Sequence, residues 1–272
     1  MDLHTVTEVS RPECRNDLPP WRAGDAWLAG GTWLFSEPQP ALTRLIDLME
    51  LGWPALETGA NGLRIGATCT LATLASAEFP TSWLASPLFR QCCRALLGSF
   101  KIWNAATVGG NLCLALPAGP MTALTAALDG ICRIWMPGRR TRSLPVIDFV
   151  RGPNQNALRP GELLRAIDLP TAALQRFTAF RQISLTPLGR SAALLVGTRA
   201  PAGHFALTVT AATRRPVRLD FETIPSDNDL RHALVRAIPD TMIYDDLHGA
   251  PGWRRHMTFR FAEEIRQELS SS

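Results

Sequence analysis

Residues 102–112 read Ile-Trp-Asn-Ala-Ala-Thr-Val-Gly-Gly-Asn-Leu, and a second glycine pair stands upstream in Ala29-Gly30-Gly31-Thr32-Trp33-Leu34. The upstream pair directly follows a short apolar strand at 26–30. The other follows an apolar helical stretch that ends near Gly98. Two consecutive glycines permit positive φ and let backbone N–H groups approach a ligand with no Cβ in the way. Successive N–H groups aimed one way make a concave anion site suited to a phosphate or diphosphate. The hydroxyls of Thr32 and Thr107 and the amide of Asn111 can add side-chain hydrogen bonds. Taken singly, either pair is equally well a tight turn and nothing more. If the diphosphate reading holds, a Cβ placed at Gly30 or Gly109 should clash with the ligand.

Working outward, residues 43–48 read as a second strand, and 62–68 as a third with Leu63, Ile65 and Ala67 alternating. Thr70 is placed to cap a helix running to about Ala77. Ser86 and Pro87 open the next helix in cap-then-proline order, and Leu88, Phe89, Cys92, Leu96 and Leu97 give it one buried face. A loop is expected from 98 to 111, then a helix from about 121 to 128 that ends at Gly130. Strands follow at 131–136 and 163–169. From about 176 the pattern changes to antiparallel strands at 177–183, 192–198 and 204–212, then helices at 229–238 and 252–269. That change predicts a domain boundary near 170–176.

The chain has 272 residues, 46% hydrophobic and 19% charged, which suits one or two domains with a sizeable core. The net charge of +4 comes from 28 basic against 24 acidic residues, and Lys101 is the one lysine. The tight arginine groups, at 139, 140 and 142 and at 214, 215 and 218, lack interleaved aromatics, so a nucleic-acid partner is not expected. Six cysteines at 14, 69, 92, 93, 113 and 132 form no C-x-x-C, so no metal or cluster is expected in this chain. Without a secretory h-region or an apolar run of 18 residues, the expected address is the cytoplasm, with free thiols and no membrane span. No P-loop, G-x-G-x-x-G, G-x-S-x-G or H-E-x-x-H occurs. The histidines at 4, 204, 232, 248 and 256 are scattered and read as surface or packing residues.

Four segments occur in fixed order: Leu-Ala-Gly-Gly-Thr (28–32), Gly-Leu-Arg-Ile-Gly-Ala-x-x-Thr-Leu-Ala-x-Leu (62–74), Ile-x-Asn-x-Ala-Thr-Val-Gly-Gly-Asn-Leu (102–112) and Leu-Arg-Pro-Gly-Glu-Leu-Leu (158–164). A fifth, Asp-Leu-His-Gly-Ala-Pro-Gly-Trp-Arg-Arg-His (246–256), opens the last helix. In this order they resemble the FAD-binding medium subunit of the molybdenum hydroxylases, the xanthine dehydrogenase and carbon monoxide dehydrogenase type. The resemblance thins over the first 20 residues and over 213–245. It implies an α+β chain: an FAD-binding fold of two α/β subdomains, then a small domain with a three-stranded antiparallel sheet and helices. The corresponding domains are 1–172, split near 55–60, and 173–272.

By position, the resemblance implies FAD contacts from Ala29, Gly30, Gly31, Thr32 and Trp33, and from Thr107, Val108, Gly109, Gly110 and Asn111. It also implies Leu97 against the adenine end, Leu164 as an apolar contact to the flavin, and Arg181 in place of a lysine near the isoalloxazine. Two positions depart from the family pattern. Trp33 replaces a small polar residue, and Pro120 replaces an aspartate that contacts the ribityl hydroxyls. The implied function is electron transfer in a complex with an iron–sulfur subunit and a large molybdopterin subunit. Electrons would pass from [2Fe-2S] clusters through FAD to NAD or another acceptor, with molybdopterin and clusters on the partners only. No side chain of this chain need act as acid or base, because the flavin carries the redox chemistry. The alternatives are a structural subunit of such a complex that has lost FAD and a stand-alone flavin oxidase of related fold.

Overall fold

The computed structural model describes residues 3–271. Its first layer is a small parallel sheet of β1 (Glu8–Ser10), β2 (Asp25–Leu28) and β3 (Arg44–Asp47), ordered β1-β3-β2. Among the described residues this layer carries 3-10 turns at Arg15–Asp17 and Met49–Leu51 but no α-helix.

The chain then changes sheets between Asp47 and β4 (Leu56–Gly59), followed by β5 (Gly62–Gly66). Leu63 and Ile65 are buried while Arg64 between them is exposed, the period-2 pattern of a half-covered strand. Five helices come next: α1 (Leu71–Ser76), α2 (Ser86–Ala95), α3 (Phe100–Ala105), α4 (Val108–Leu114) and α5 (Pro120–Ala127). After them come β6 (Ile131–Trp135), β7 (Thr141–Pro145), α6 (Val146–Phe149), the short pair β8 (Val150–Gly152) and β9 (Gln155–Asn156), and β10 (Leu163–Pro170). The large sheet runs β4-β5-β10-β6-β7 and every pairing in it is antiparallel.

The final part holds α7 (Thr171–Leu174), the strands β11 (Phe177–Ile183), β12 (Ala193–Arg199), β13 (Phe205–Thr210) and β14 (Val217–Phe221), then α8 (Asp227–Ala237) and α9 (Pro251–Ser270). Its sheet has four antiparallel strands where three were expected. The added strand, Val-Arg-Leu-Asp-Phe, alternates apolar and polar residues, but it is short and follows the turn residues Arg214–Pro216.

Two other expectations are corrected. The loop from 98 to 111 contains α3 and the first turn of α4, capped by Ser99 and Thr107. Glycines that read as loop in sequence are held helical by these caps. Ser86 lies inside α2 and Ala85 takes the cap position; the Ser86 hydroxyl donates to the Trp83 carbonyl at 2.6 Å. Thr70 caps α1 as expected, accepting from the Thr73 N–H at 3.2 Å.

All eight residues of α5 are buried. A helix apolar on every side belongs inside a core, and α5 packs against α2, α4, β12 and β13. One hydrophobic cluster therefore runs from Leu63 on β5 to Leu194, Val196 and Ala211 beyond the 170–176 junction. The second cluster lies between the four-stranded sheet and helices α8 and α9. The C-terminal part is thus fixed against α5, which packs on α4, the helix that carries the second glycine pair.

Candidate functional site

The turn after β2, the junction of α2 with α3, the exposed side of α4 and the turn before α5 enclose a cleft of about 670 Å³. Of the residues named from sequence, Ala29, Gly30, Gly31, Thr32, Trp33, Leu97, Thr107, Gly110 and Asn111 line it.

The first glycine turn has the geometry of an anion cradle. Gly31 adopts φ +67°, and the Phe35 N–H closes a single helical turn on the Gly31 carbonyl at 2.9 Å. The N–H groups of Gly31, Thr32, Trp33 and Leu34 have no hydrogen-bond acceptor among the described residues. Unsatisfied donors at the start of a turn favour a negatively charged ligand.

The second pair behaves differently. Val108 N–H donates to the Cys69 carbonyl and Gly109 N–H to the Ala67 carbonyl, both at 2.9 Å. The Gly110 N–H donates to Thr107 Oγ1 and the Asn111 N–H to the Thr107 carbonyl, both at 3.0 Å. All four donors are thus engaged within the protein. Val108 and Gly109 are buried and stand outside the cleft lining. A Cβ on Gly109 would lie 2.5 Å from the Ala67 Cβ, so this glycine permits close packing of α4 on the end of β5. Asn111 Oδ1 accepts from the Met121 N–H at 3.1 Å, which leaves its amide NH2 for the cleft. Pro120 is buried as the first residue of α5 and does not line the cleft.

Two more residues named from sequence do not line this cleft. Leu164 is 2% exposed and sits in the core beneath the large sheet. Arg181 does not reach the cleft either: its guanidinium pairs with Glu264 at 2.9 Å and Glu268 at 2.8 Å on α9. These carboxylates neutralise the charge that was expected to face a ligand.

Residues that sequence reasoning missed come from the C-terminal part. Leu188 and Arg190, on the β11–β12 connection, and His248, in the turn before α9, close one wall of the cleft. The His248 turn is built by a buried arginine: Arg254, 1% exposed, donates to the carbonyls of Gly249 (2.8 Å), Ala192 (2.9 Å) and Ala211 (2.7 Å) and pairs with Asp246. Asp246 in turn accepts from the His248 N–H at 2.8 Å. The sequence signal was present in the Asp-x-His-Gly…Arg motif but marked a helix start, not a wall. Cys113 also lines the cleft; burial pushes its thiol up to about 12, so it stays protonated and weakly nucleophilic at neutral pH.

No carboxylate lines the cleft among the described residues, and its other walls are apolar, among them Leu97, Ile102, Leu114 and Leu116. An apolar groove with convergent donors and no acid fits an elongated, dinegative ligand with flat ends. FAD meets that description, with the turn at Gly31–Leu34 able to take the diphosphate. Among the described residues no group of three or more His, Cys, Asp or Glu is placed to hold a metal ion, and no helix is long and apolar enough to cross a membrane.

Comparison with known proteins gives a family. The chain is similar to the caffeine dehydrogenase subunit beta of a Pseudomonas species, 29% identical over 187 residues, 66% of this chain and 61% of that one. It is 30% identical over 115 residues to the glyceraldehyde dehydrogenase medium chain of Sulfolobus acidocaldarius, covering 42% of this chain and 40% of that relative. It is also 29% identical over 147 residues to the carbon monoxide dehydrogenase medium chain of Afipia carboxidovorans, covering 53% and 50%. The chain thus spans about 40 to 61% of the length of these relatives.

Solved structures share the fold. A Cu,Mo-CO dehydrogenase superposes with a TM-score of 0.79 at 21% identity, with 96% of each chain covered. Quinoline 2-oxidoreductase from Pseudomonas putida 86 gives 0.78 at 18% identity, with 98% covered. Residues 22–172, more than half of the chain, match the FAD binding domain in molybdopterin dehydrogenase, so the protein belongs to that family and its cofactor is FAD.

Proposed function

We propose that this chain is the FAD-carrying electron-transfer subunit of a molybdopterin and iron–sulfur hydroxylase or dehydrogenase. In this reading it receives electrons from [2Fe-2S] clusters on one partner, and the substrate is oxidised on a large molybdopterin subunit. The chain then delivers electrons to NAD or another acceptor. The observation that carries the reading is the turn at Gly31–Leu34, which has N–H groups without a protein acceptor and lines a cleft with no carboxylate among the described residues. FAD, when bound, exchanges one-electron and two-electron chemistry; the chain's own part is to bind, orient and shield it. The Gly31–Leu34 turn would hold the diphosphate, Thr107, Gly110 and Asn111 would face the polar linker, and Leu97 would cover the adenine end. The domain limits that go with this reading are 1–172 and 173–272. Cytoplasmic placement is supported by six unpaired cysteines.

The test is the absorption spectrum of the complex purified with its partners. Bound flavin absorbance near 450 nm at about one FAD per chain is expected. A flavin-free complex that still assembles would leave a structural subunit as the better reading.

A further inference from the structure

The glycine turn supplies only backbone dipoles, so the charge that offsets a dinegative ligand must come from elsewhere. Among the cleft-lining residues the side chains able to carry positive charge are Arg190 and His248. Neither the Arg190 guanidinium nor the His248 imidazole has a hydrogen-bond or ion-pair partner among the described residues. Most other arginines of the C-terminal part, Arg181, Arg218, Arg254, Arg255, Arg260 and Arg266 among them, are paired with carboxylates. His248 is half-buried and Arg190 is exposed, so both side chains are open to water and to a ligand at the cleft wall. The backbone of the His248 turn is held in place. Arg254 ties the His248 turn to the ends of β12 and β13, and the Ala211 N–H donates at 2.8 Å to the carbonyl of Pro117, which precedes the cleft-lining Ala118 and Gly119. The His248 turn and the cleft-lining Ala118–Gly119 are therefore linked through Arg254 and Ala211.

We propose that Arg190 and His248 are FAD-binding residues that supply the counter-charge for the diphosphate from the C-terminal part of the chain. FAD is then held by two lobes: backbone donors on one, the Arg190 guanidinium and the His248 ring N–H on the other. Arg254 is a positioning residue that acts through His248. This inference rests on the reading that the cleft holds FAD.

The test uses the full chain freed of flavin and titrated with FAD and with riboflavin, which lacks phosphates, by quenching of flavin fluorescence. Arg190→Ala and His248→Ala should each weaken FAD about tenfold, as loss of a hydrogen bond to a charged group does, and leave riboflavin affinity unchanged. His248→Gln, which keeps a donor, should recover part of the loss. Wild-type FAD affinity in both alanine variants, or equal losses for the two ligands, would overturn the proposal. Failure of the wild-type chain to bind FAD at all would instead sink the cofactor reading itself. Thermal melts of the flavin-free variants, expected to match wild type, keep a folding defect from mimicking the loss.

Discussion

Gly30 lies so close to Ala105 that a Cβ on residue 30 would stand 1.7 Å from the Ala105 carbonyl oxygen. The two glycine segments therefore touch, and Gly30 is required by the protein's own backbone before any ligand arrives. This corrects the expectation that a side chain at Gly30 or Gly109 would clash chiefly with the diphosphate.

It follows that Gly30→Ala should destabilise the flavin-free protein, because backbone cannot move aside cheaply. A loss of about 2 kcal/mol or more is expected, or several degrees in Tm. Gly110 is the control: a Cβ there meets only Thr107 Oγ1, at 2.9 Å. Thermal unfolding of both variants without FAD checks the contrast, and equal melting temperatures would contradict it.

At Gly31 the requirement is conformational. With φ +67°, any other residue there carries left-handed strain of roughly 1–2 kcal/mol, and a Cβ would meet the Phe35 ring at 2.4 Å. Relief of that strain is expected to displace the turn and its open N–H groups. Gly31→Ala is expected to lose most of its bound FAD while keeping a folded chain. The flavin-to-protein absorbance ratio of purified material, set beside a circular dichroism spectrum, measures both; full FAD occupancy would show that the turn is not the cradle.

Arg254→Met should be among the most damaging single changes outside the cleft. It leaves three buried carbonyls without a donor and Asp246 without its cation. Removing one partner of a buried pair costs about 3–5 kcal/mol. The urea midpoint of the flavin-free chain is expected to fall accordingly, and a shift of only a few tenths of a kcal/mol would show that the network is dispensable.

The fold was largely legible where periodicity was strong. The alternation of Leu63, Ile65 and Ala67, the face of α2 and the Thr70 cap each pointed to the element that forms. Legibility failed where two signals compete. Gly109 and Gly110 read as loop, yet Thr107 and the edge contact at Ala67 hold them in the first turn of α4. Leu164 and Arg181 were placed by alignment to a family pattern, which carries no information on which way this chain's side chains turn. His248 stood in a motif that marked only a helix start, and Arg190 carried no signal, because both reach the cleft only through tertiary packing of the C-terminal sheet on α5.

The thiols give a pH dependence whose sign is fixed by burial. Cys69 and Cys93 are buried, which pushes both up to about 12, and burial raises Cys92 and Cys132 as well. In the unfolded chain they ionise at about 8.5. Between those values the folded state holds protons that the unfolded state releases. The thiols' contribution to stability is therefore complete below about pH 8.5 and declines as pH rises toward 12. Acid acts through a different set. Arg44 holds Asp25 below the usual carboxylate range, and Arg142 does the same for Glu162, so their contribution is lost as pH falls through that range. Unfolding free energy should therefore be highest around neutrality and fall on both sides. The alkaline limb should lose steepness when Cys69 and Cys93 are replaced by Ala. Thiol labelling at neutral pH gives an independent check. Exposed Cys14 should react quickly, and the four buried thiols only as fast as the protein opens. Rapid labelling of all of them in native buffer would show that their burial does not protect them, and would remove the basis for the alkaline limb.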